Sequence, residues 1–253
     1  MAYVSRINEK TILLGNYTPE EWDRVQRAVD IIEHYSDNFI IECIPDPSIA
    51  MVKARLTKYI VQDKIEYIFY DYIFSSPGLL SEFRDVEVRE DVALMMLSNS
   101  LKETAMSYMV FIQSATQLND GWSKRIIGLR DQNCIRGSKA IADKIDIGFI
   151  GVRLDPDEFK QVEAIWNEIK AKKHFVHDPN IVVDVYKNRR GEMNCVKIFR
   201  YFDYATCHCE DLFVTDANYK GVDNIGEFQY NTPKYDFLDL KVKWEAEKKG
   251  NAA

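Results

Sequence analysis

Residues 65–74, IEYIFYDYIF, set apolar side chains at nearly every position around one carboxylate, Asp71. A strand with one wet face alternates apolar and polar residues, so this continuous run predicts a strand covered on both faces of a parallel sheet. MVFIQSA (109–115) reads as another buried strand, and IADKIDIGFIGVRL (141–154) as a short helix followed by a strand. FIIECI (39–44) predicts a further strand ahead of them.

Between these runs the apolar period lengthens to that of a helix. Thr18-Pro19-Glu20-Glu21 supplies a helix cap, a proline at the first turn and a glutamate three residues after the cap; Trp22, Val25, Val29 and Ile32 follow at helical spacing. Ser48 opens a second helix carrying Ile49, Val52, Leu56 and Ile60 along one side. VALMMLSNSLKETAMSYM (92–109) predicts a long helix after a Ser-Ser-Pro-Gly turn and a loop, and an acid-started helix covers 155–173. A hairpin around Arg190-Gly191 joins two apolar stretches in 181–202. Strands alternating with helices specify an α/β fold with a mostly parallel central sheet, whose ligands gather at the carboxyl ends of the strands. This domain spans 1–222; a polar tail, 223–253, follows it.

Composition narrows the class. The 253 residues are 46% hydrophobic, enough for a substantial core, and no apolar stretch reaches the roughly 20 residues needed to span a bilayer. The N-terminus lacks an apolar signal region, which points to the cytoplasm as compartment and to no membrane partner. Five scattered cysteines read as reduced thiols. Cys207-His208-Cys209 and His174-Phe175-Val176-His177 pair metal-ligating types, but ligands so close rarely complete a tetrahedral site by themselves. A net charge of -7 excludes a protein coated in basic surface for nucleic acid, yet allows a local basic feature.

Four segments carry candidate chemistry. Asp71, near a strand's carboxyl end, stands where nucleoside triphosphatases keep the acid that holds Mg²⁺ through water; an acid capping the following turn is the competing reading. Gln117, at the end of the next strand, can hydrogen-bond a γ-phosphate or an attacking water. Arg136-Gly137-Ser138-Lys139 forms a short basic loop entering a helix. It suits a phosphodiester backbone better than a nucleotide, because Gln132 stands where a GxxxxGK[ST] motif needs its first glycine. Lys187-Asn188-Arg189-Arg190 sits at a hairpin tip, where an arginine can project toward a neighbouring subunit's phosphate or simply face solvent.

In order and spacing, LLGNYTPEEWDRVQRAVDII, IFYDYI, LKETAMSYMVFIQSATQLN, CIRGSKAIADKIDIGFIGVR and VVDVYKNRRGEMNCVKIFR resemble the C-terminal motor domain of DnaB-type replicative helicases. Those are hexameric ring ATPases of RecA-like three-layer fold. The resemblance runs from about residue 10 to about 215. It implies ATP and Mg²⁺ as cofactors, Asp71 as the Walker B acid, and Gln117 as the phosphate sensor. Lys187 and Arg189 become the cations inserted into the next subunit's ATP site. Arg136, Gly137 and Lys139 then lie in the loop facing single-stranded DNA, although Gly137 replaces the family's usual acidic residue and Lys139 its usual glycine.

The chain contains no P-loop and no counterpart of the family's catalytic glutamate. It therefore reads as an N-terminally truncated motor that works as a homo-hexamer or with a complementary P-loop-bearing fragment, with primase and a helicase loader as further partners. If phage-encoded, its place is the bacterial host cytoplasm. Such a sheet, lacking its P-loop strand and helix, leaves apolar surface uncovered. A non-catalytic module that docks on a helicase or binds single-stranded DNA is the alternative, and a recombinase-like ATPase of the same fold a lesser one.

Overall fold

The computed structural model describes residues 1–83, 88–123, 127–136, 139–173, 177–189, 191 and 195–222. Gly137, Ser138, Arg190, the 174–176 segment and the 223–253 tail thus lie outside the described residues. The chain divides into two compact units. One comprises Met1–Ile41, Gly151–Val183 and the described residues from Ile198 on; the other comprises Glu42–Ile150 and Asp184–Lys197.

The first unit begins with α1 (Ala2–Ser5), α2 (Glu9–Leu14) and α3 (Pro19–His34). The predicted start of α3 forms in full: Thr18 Oγ1 accepts from the Glu21 amide at 3.2 Å, and the Glu21 carboxylate accepts from the Thr18 amide at 2.8 Å. That second bond holds the Glu21 carboxyl below its usual pKa. Val25, Ala28 and Ile31 form the buried line of α3, whereas Trp22 is exposed and meets the Tyr17 ring instead.

The second unit carries α4 (Ile49–Gln62), β1 (Tyr67–Tyr70), α5 (Pro77–Ser81), α6 (Glu90–Tyr108), β2 (Phe111–Ser114) and α7 (Lys139–Lys144). Strands β1 and β2 pair in parallel, Tyr67 opposite Phe111 and Tyr70 opposite Ser114. Val52 of α4, Leu94, Leu97 and Leu101 of α6, Ile73 and Ile141 form one buried cluster, with Tyr70 and Ile112 packed against it. Ser76 ends the apolar run by capping α5, its hydroxyl accepting from the Leu79 amide and donating to the Pro47 carbonyl. The expected turn at 75–78 is therefore a helix start. Gly78 is required there, because a Cβ would lie 2.7 Å from Asp46 Oδ1.

Strands β3 (Ile147–Arg153), β4 (Ile181–Asn188), β5 (Val196–Asp203) and β6 (His208–Asp216) make a second sheet in that order. The Leu154 amide bonds the Asn180 carbonyl and the Arg189 amide the Asp146 carbonyl, so β3 and β4 run antiparallel. Helix α8 (Pro156–Lys173) connects them, and in the first unit its Trp166 stacks on Phe213, which stacks on Phe199.

Two expectations fail. Residues 39–44 form no strand and join no sheet among the described residues, since a strand exists only where a neighbour supplies the ladder. The run at β1 is covered on one face only: Ile68 is buried, while Tyr67 and Phe69 are 68% and 70% exposed. Phe111 of β2, expected in a buried strand, is half exposed beside the Tyr67 ring. Tyr67, Phe69 and Phe111 thus leave an exposed apolar patch on the face away from α4 and α6.

Candidate functional site

The parallel pair β1 and β2 brings two strand ends together. At the strand ends the Ser114 hydroxyl donates to the Tyr70 carbonyl at 2.8 Å, and just beyond them the Ile73 amide donates to the Ala115 carbonyl at 2.8 Å. Asp71 lies between these ties, exposed, and its peptide bond to Tyr72 is cis. It makes no hydrogen bond or ion pair with other described residues, so its carboxylate is available to a ligand. Mg²⁺ is commonly held by one or two carboxylates plus waters and substrate phosphates. Asp71 fits as one such ligand; no group of three or more His, Cys, Asp and Glu able to hold a metal occurs among the described residues.

Gln117 stands on the adjoining segment and bridges outward in two directions. Its Nε2 donates to the Tyr72 hydroxyl at 3.2 Å, and its Oε1 accepts from Arg136 Nη1 at 2.8 Å. A guanidinium can only donate, which fixes the amide's orientation. The Arg136 amide also donates to the Gln117 carbonyl, and an antiparallel bridge pairs Leu118 with Ile135. Asn119 Nδ2 clasps the same segment through the carbonyls of Asn133 and Ile135. The basic loop is therefore rooted directly on the segment that follows β2. Tyr72, Ile73, Phe74, Thr116, Gln117 and Arg136 line a shallow cleft of about 220 Å³, too small to enclose a nucleotide by itself.

Lys187 and Arg189 occupy a different place. Lys187 Nζ donates to the Ala142 carbonyl and the Arg189 guanidinium to the Asp143 carbonyl, both in the last turn of α7. Burial of the Lys187 ammonium, and then the charge of Arg189, pull its pKa below the usual lysine value. Arg189 remains exposed. Lys139 opens α7, whereas Gly137 lies outside the described residues.

Two elements of this unit escaped the sequence reading. Tyr72 enters through its hydroxyl, and nothing in an apolar run signals that role. The other is an ion network in which Asp184 accepts from Arg130 and Lys197, all three buried. Its signal was legible: Asp184 is a lone acid inside the apolar strand IVVDVY.

Comparison with known proteins gives a consistent picture. The sequence profile of the DnaB-like helicase C-terminal domain matches residues 1–207. The SPbeta prophage-derived uncharacterized protein YorI of Bacillus subtilis (strain 168) is 33% identical over 223 residues, covering 86% of this chain and 43% of that protein. The chain thus spans less than half the length of that relative. Among solved structures, a DnaB-like replicative helicase, described with its interactions with primase, superposes with a TM-score of 0.60 at 15% identity, over 82% of this chain and 45% of that one. A second solved structure, of an ATPase domain, superposes with a TM-score of 0.61 at 17% identity, over 83% of this chain and 68% of that one. At these identities the likeness is one of fold, a RecA-like α/β ATPase fold.

Proposed function

The chain belongs to the DnaB-like helicase C-terminal domain family, and we propose that it supplies one part of a replicative helicase motor. In this reading ATP hydrolysis at subunit interfaces of a hexameric ring drives translocation along single-stranded DNA and duplex unwinding. Asp71 holds Mg²⁺ through water beside the phosphates, where the metal neutralises developing charge. Gln117 senses the γ-phosphate. Arg136, Gly137 and Lys139 contact the DNA backbone without reading sequence. Lys187 and Arg189 reach the ATP bound by the neighbouring subunit.

The observation that carries this reading is the position of Gln117. Its amide bonds Tyr72, the residue after Asp71, on one side and Arg136 of the basic loop on the other. A change at the phosphate end is thereby felt at the loop without any intervening residue. The residues of this sequence contain no GxxxxGK[ST], and in this reading the triphosphate cradle belongs to a P-loop-bearing segment outside them. Primase and a helicase loader are further partners, and the setting is the cytoplasm, that of a bacterial host if the chain is phage-encoded.

The test is reconstitution. The chain alone has no ATPase activity; adding a polypeptide that carries the P-loop portion restores DNA-stimulated turnover. Robust hydrolysis by the chain alone overturns the reading. One observation favours a second function, a non-catalytic module that docks on a helicase: the exposed apolar face of Tyr67, Phe69 and Phe111. Stable association with a complete helicase ring, with no rise in ATP turnover from any P-loop polypeptide, selects that alternative.

A further inference from the structure

We propose that Asp184 is a positioning residue that ties the hairpin bearing Lys187 and Arg189 to the basic loop, so that DNA held at the loop sets the place of the finger cations. The inference rests on the proposed roles of loop and hairpin.

Asp184, in β4, is fully buried. One carboxylate oxygen accepts from Arg130 Nη1 at 2.8 Å and the other from Lys197 Nζ at 2.5 Å. Arg130 and Lys197 are themselves almost wholly buried. Lys197 lies on β5, the second arm of the hairpin, so the acid joins the two arms below their connecting turn. Arg130 lies on neither arm; it stands just ahead of the segment that leads into Arg136. The basic loop is therefore moored to the hairpin on its upstream side.

A second set of bonds moors the downstream side. Helix α7 follows the loop, and its last turn offers the carbonyls of Ala142 and Asp143 to Lys187 and Arg189. Just beyond, the Arg189 amide donates to the Asp146 carbonyl at 2.9 Å. The chain before the loop and the chain after it thus both end on the same hairpin, and the finger cations themselves form one attachment.

Stability is a poor reason for this arrangement. Taking charges out of water is costly for each ion, and apolar side chains of equal volume commonly hold a core as well. Such residues would pack without direction. A carboxylate that accepts on each oxygen from a different cation fixes the mutual placement of three chain segments.

Hydrogen exchange on the full chain, with and without single-stranded oligodeoxythymidylate, tests the tie. Two variants are compared: Asp184→Asn, and a triple apolar replacement of Arg130 by Met, Asp184 by Leu and Lys197 by Met. Circular dichroism establishes which of them folds. In the wild type the oligonucleotide slows exchange in segment 127–144 and also in segment 184–197, by about fivefold or more, the lower end of ordinary coupling between sites. In a folded variant the first response persists and the second is reduced, since only the attachment through α7 remains. A hairpin response of wild-type size in a folded variant overturns the proposal, as does a wild-type hairpin that ignores the oligonucleotide while the loop responds. The wild-type comparison decides by itself if neither variant folds. If neither segment responds, the DNA-binding reading has failed, and the proposal falls with it.

Discussion

Arg136 is fastened to Gln117 at two points, amide to carbonyl at 2.9 Å and guanidinium to side-chain oxygen at 2.8 Å. One fixes the loop's backbone and the other aims its cation. Binding of a labelled single-stranded oligonucleotide, followed by anisotropy across a salt series, separates the two residues. Each phosphate contact contributes about 0.7 to the slope of log K against log salt on a single strand. Arg136→Ala lowers the slope by that amount. Gln117→Ala leaves the slope in place and weakens binding at every salt concentration, because the cation is retained but no longer held. An unchanged slope in Arg136→Ala removes Arg136 from the DNA interface.

In a reconstituted, P-loop-complemented motor, Arg189→Ala lowers DNA-stimulated turnover by about a thousandfold or more, the usual weight of an arginine acting in trans on a phosphoryl group. Nucleotide affinity changes far less, since such a group acts chiefly in the transition state. Single-turnover hydrolysis alongside nucleotide titration distinguishes these effects. Equal losses in both make Arg189 an ordinary binding cation.

Much of the fold was legible, and the failures share a cause. The start of α3 depends on bonds within four residues of sequence, and Thr18 and Glu21 form them as spaced. The one-sided packing of α4 through Val52 and Ile60 follows from helical period alone. Strands are different, because their burial is settled by what lies across the sheet. The same apolar pattern at 65–74 serves a face covered by α6 and a face left bare, and residues 39–44 find no partner strand among the described residues. The candidate site divides in the same way. Asp71, the lone acid that draws attention in the sequence, is exposed, whereas the lone acid that is truly buried is Asp184, paired with cations 54 and 13 residues away in sequence. No local pattern announces such partners.

Two apolar residues of the second unit should respond in opposite ways to truncation. Leu97 on α6 is 1% exposed within the core cluster, so Leu97→Ala costs about 2–5 kcal/mol of stability in urea unfolding. Phe69 on the bare face contributes little to the isolated fold, so Phe69→Ser shifts stability by about 0.5 kcal/mol or less while lowering light scattering from concentrated protein. A large loss of stability in Phe69→Ser means that this face is covered in solution.

Tyr186 provides the pH test. Its ring lies so close to Gly148 that a Cβ there would sit 2.4 Å from Cζ, and burial, with the charge of Asp131 second, raises its pKa to about 12. A phenol whose folded pKa lies above the unfolded value of about 10 keeps its proton longer when folded. Its contribution to stability is therefore complete below pH 10 and is lost as pH rises through about 12. Between these values the wild type loses stability faster than Tyr186→Phe, which has no proton to give up. Denaturant unfolding at pH 9 and again near the top of that window measures the difference. Tyrosinate absorbance offers an independent check: Gly148→Ala displaces the ring toward solvent and brings its titration back toward 10. If Tyr186→Phe and the wild type show the same alkaline slope, the hydroxyl is not sheltered and the close packing of Tyr186 on Gly148 is not the state in solution.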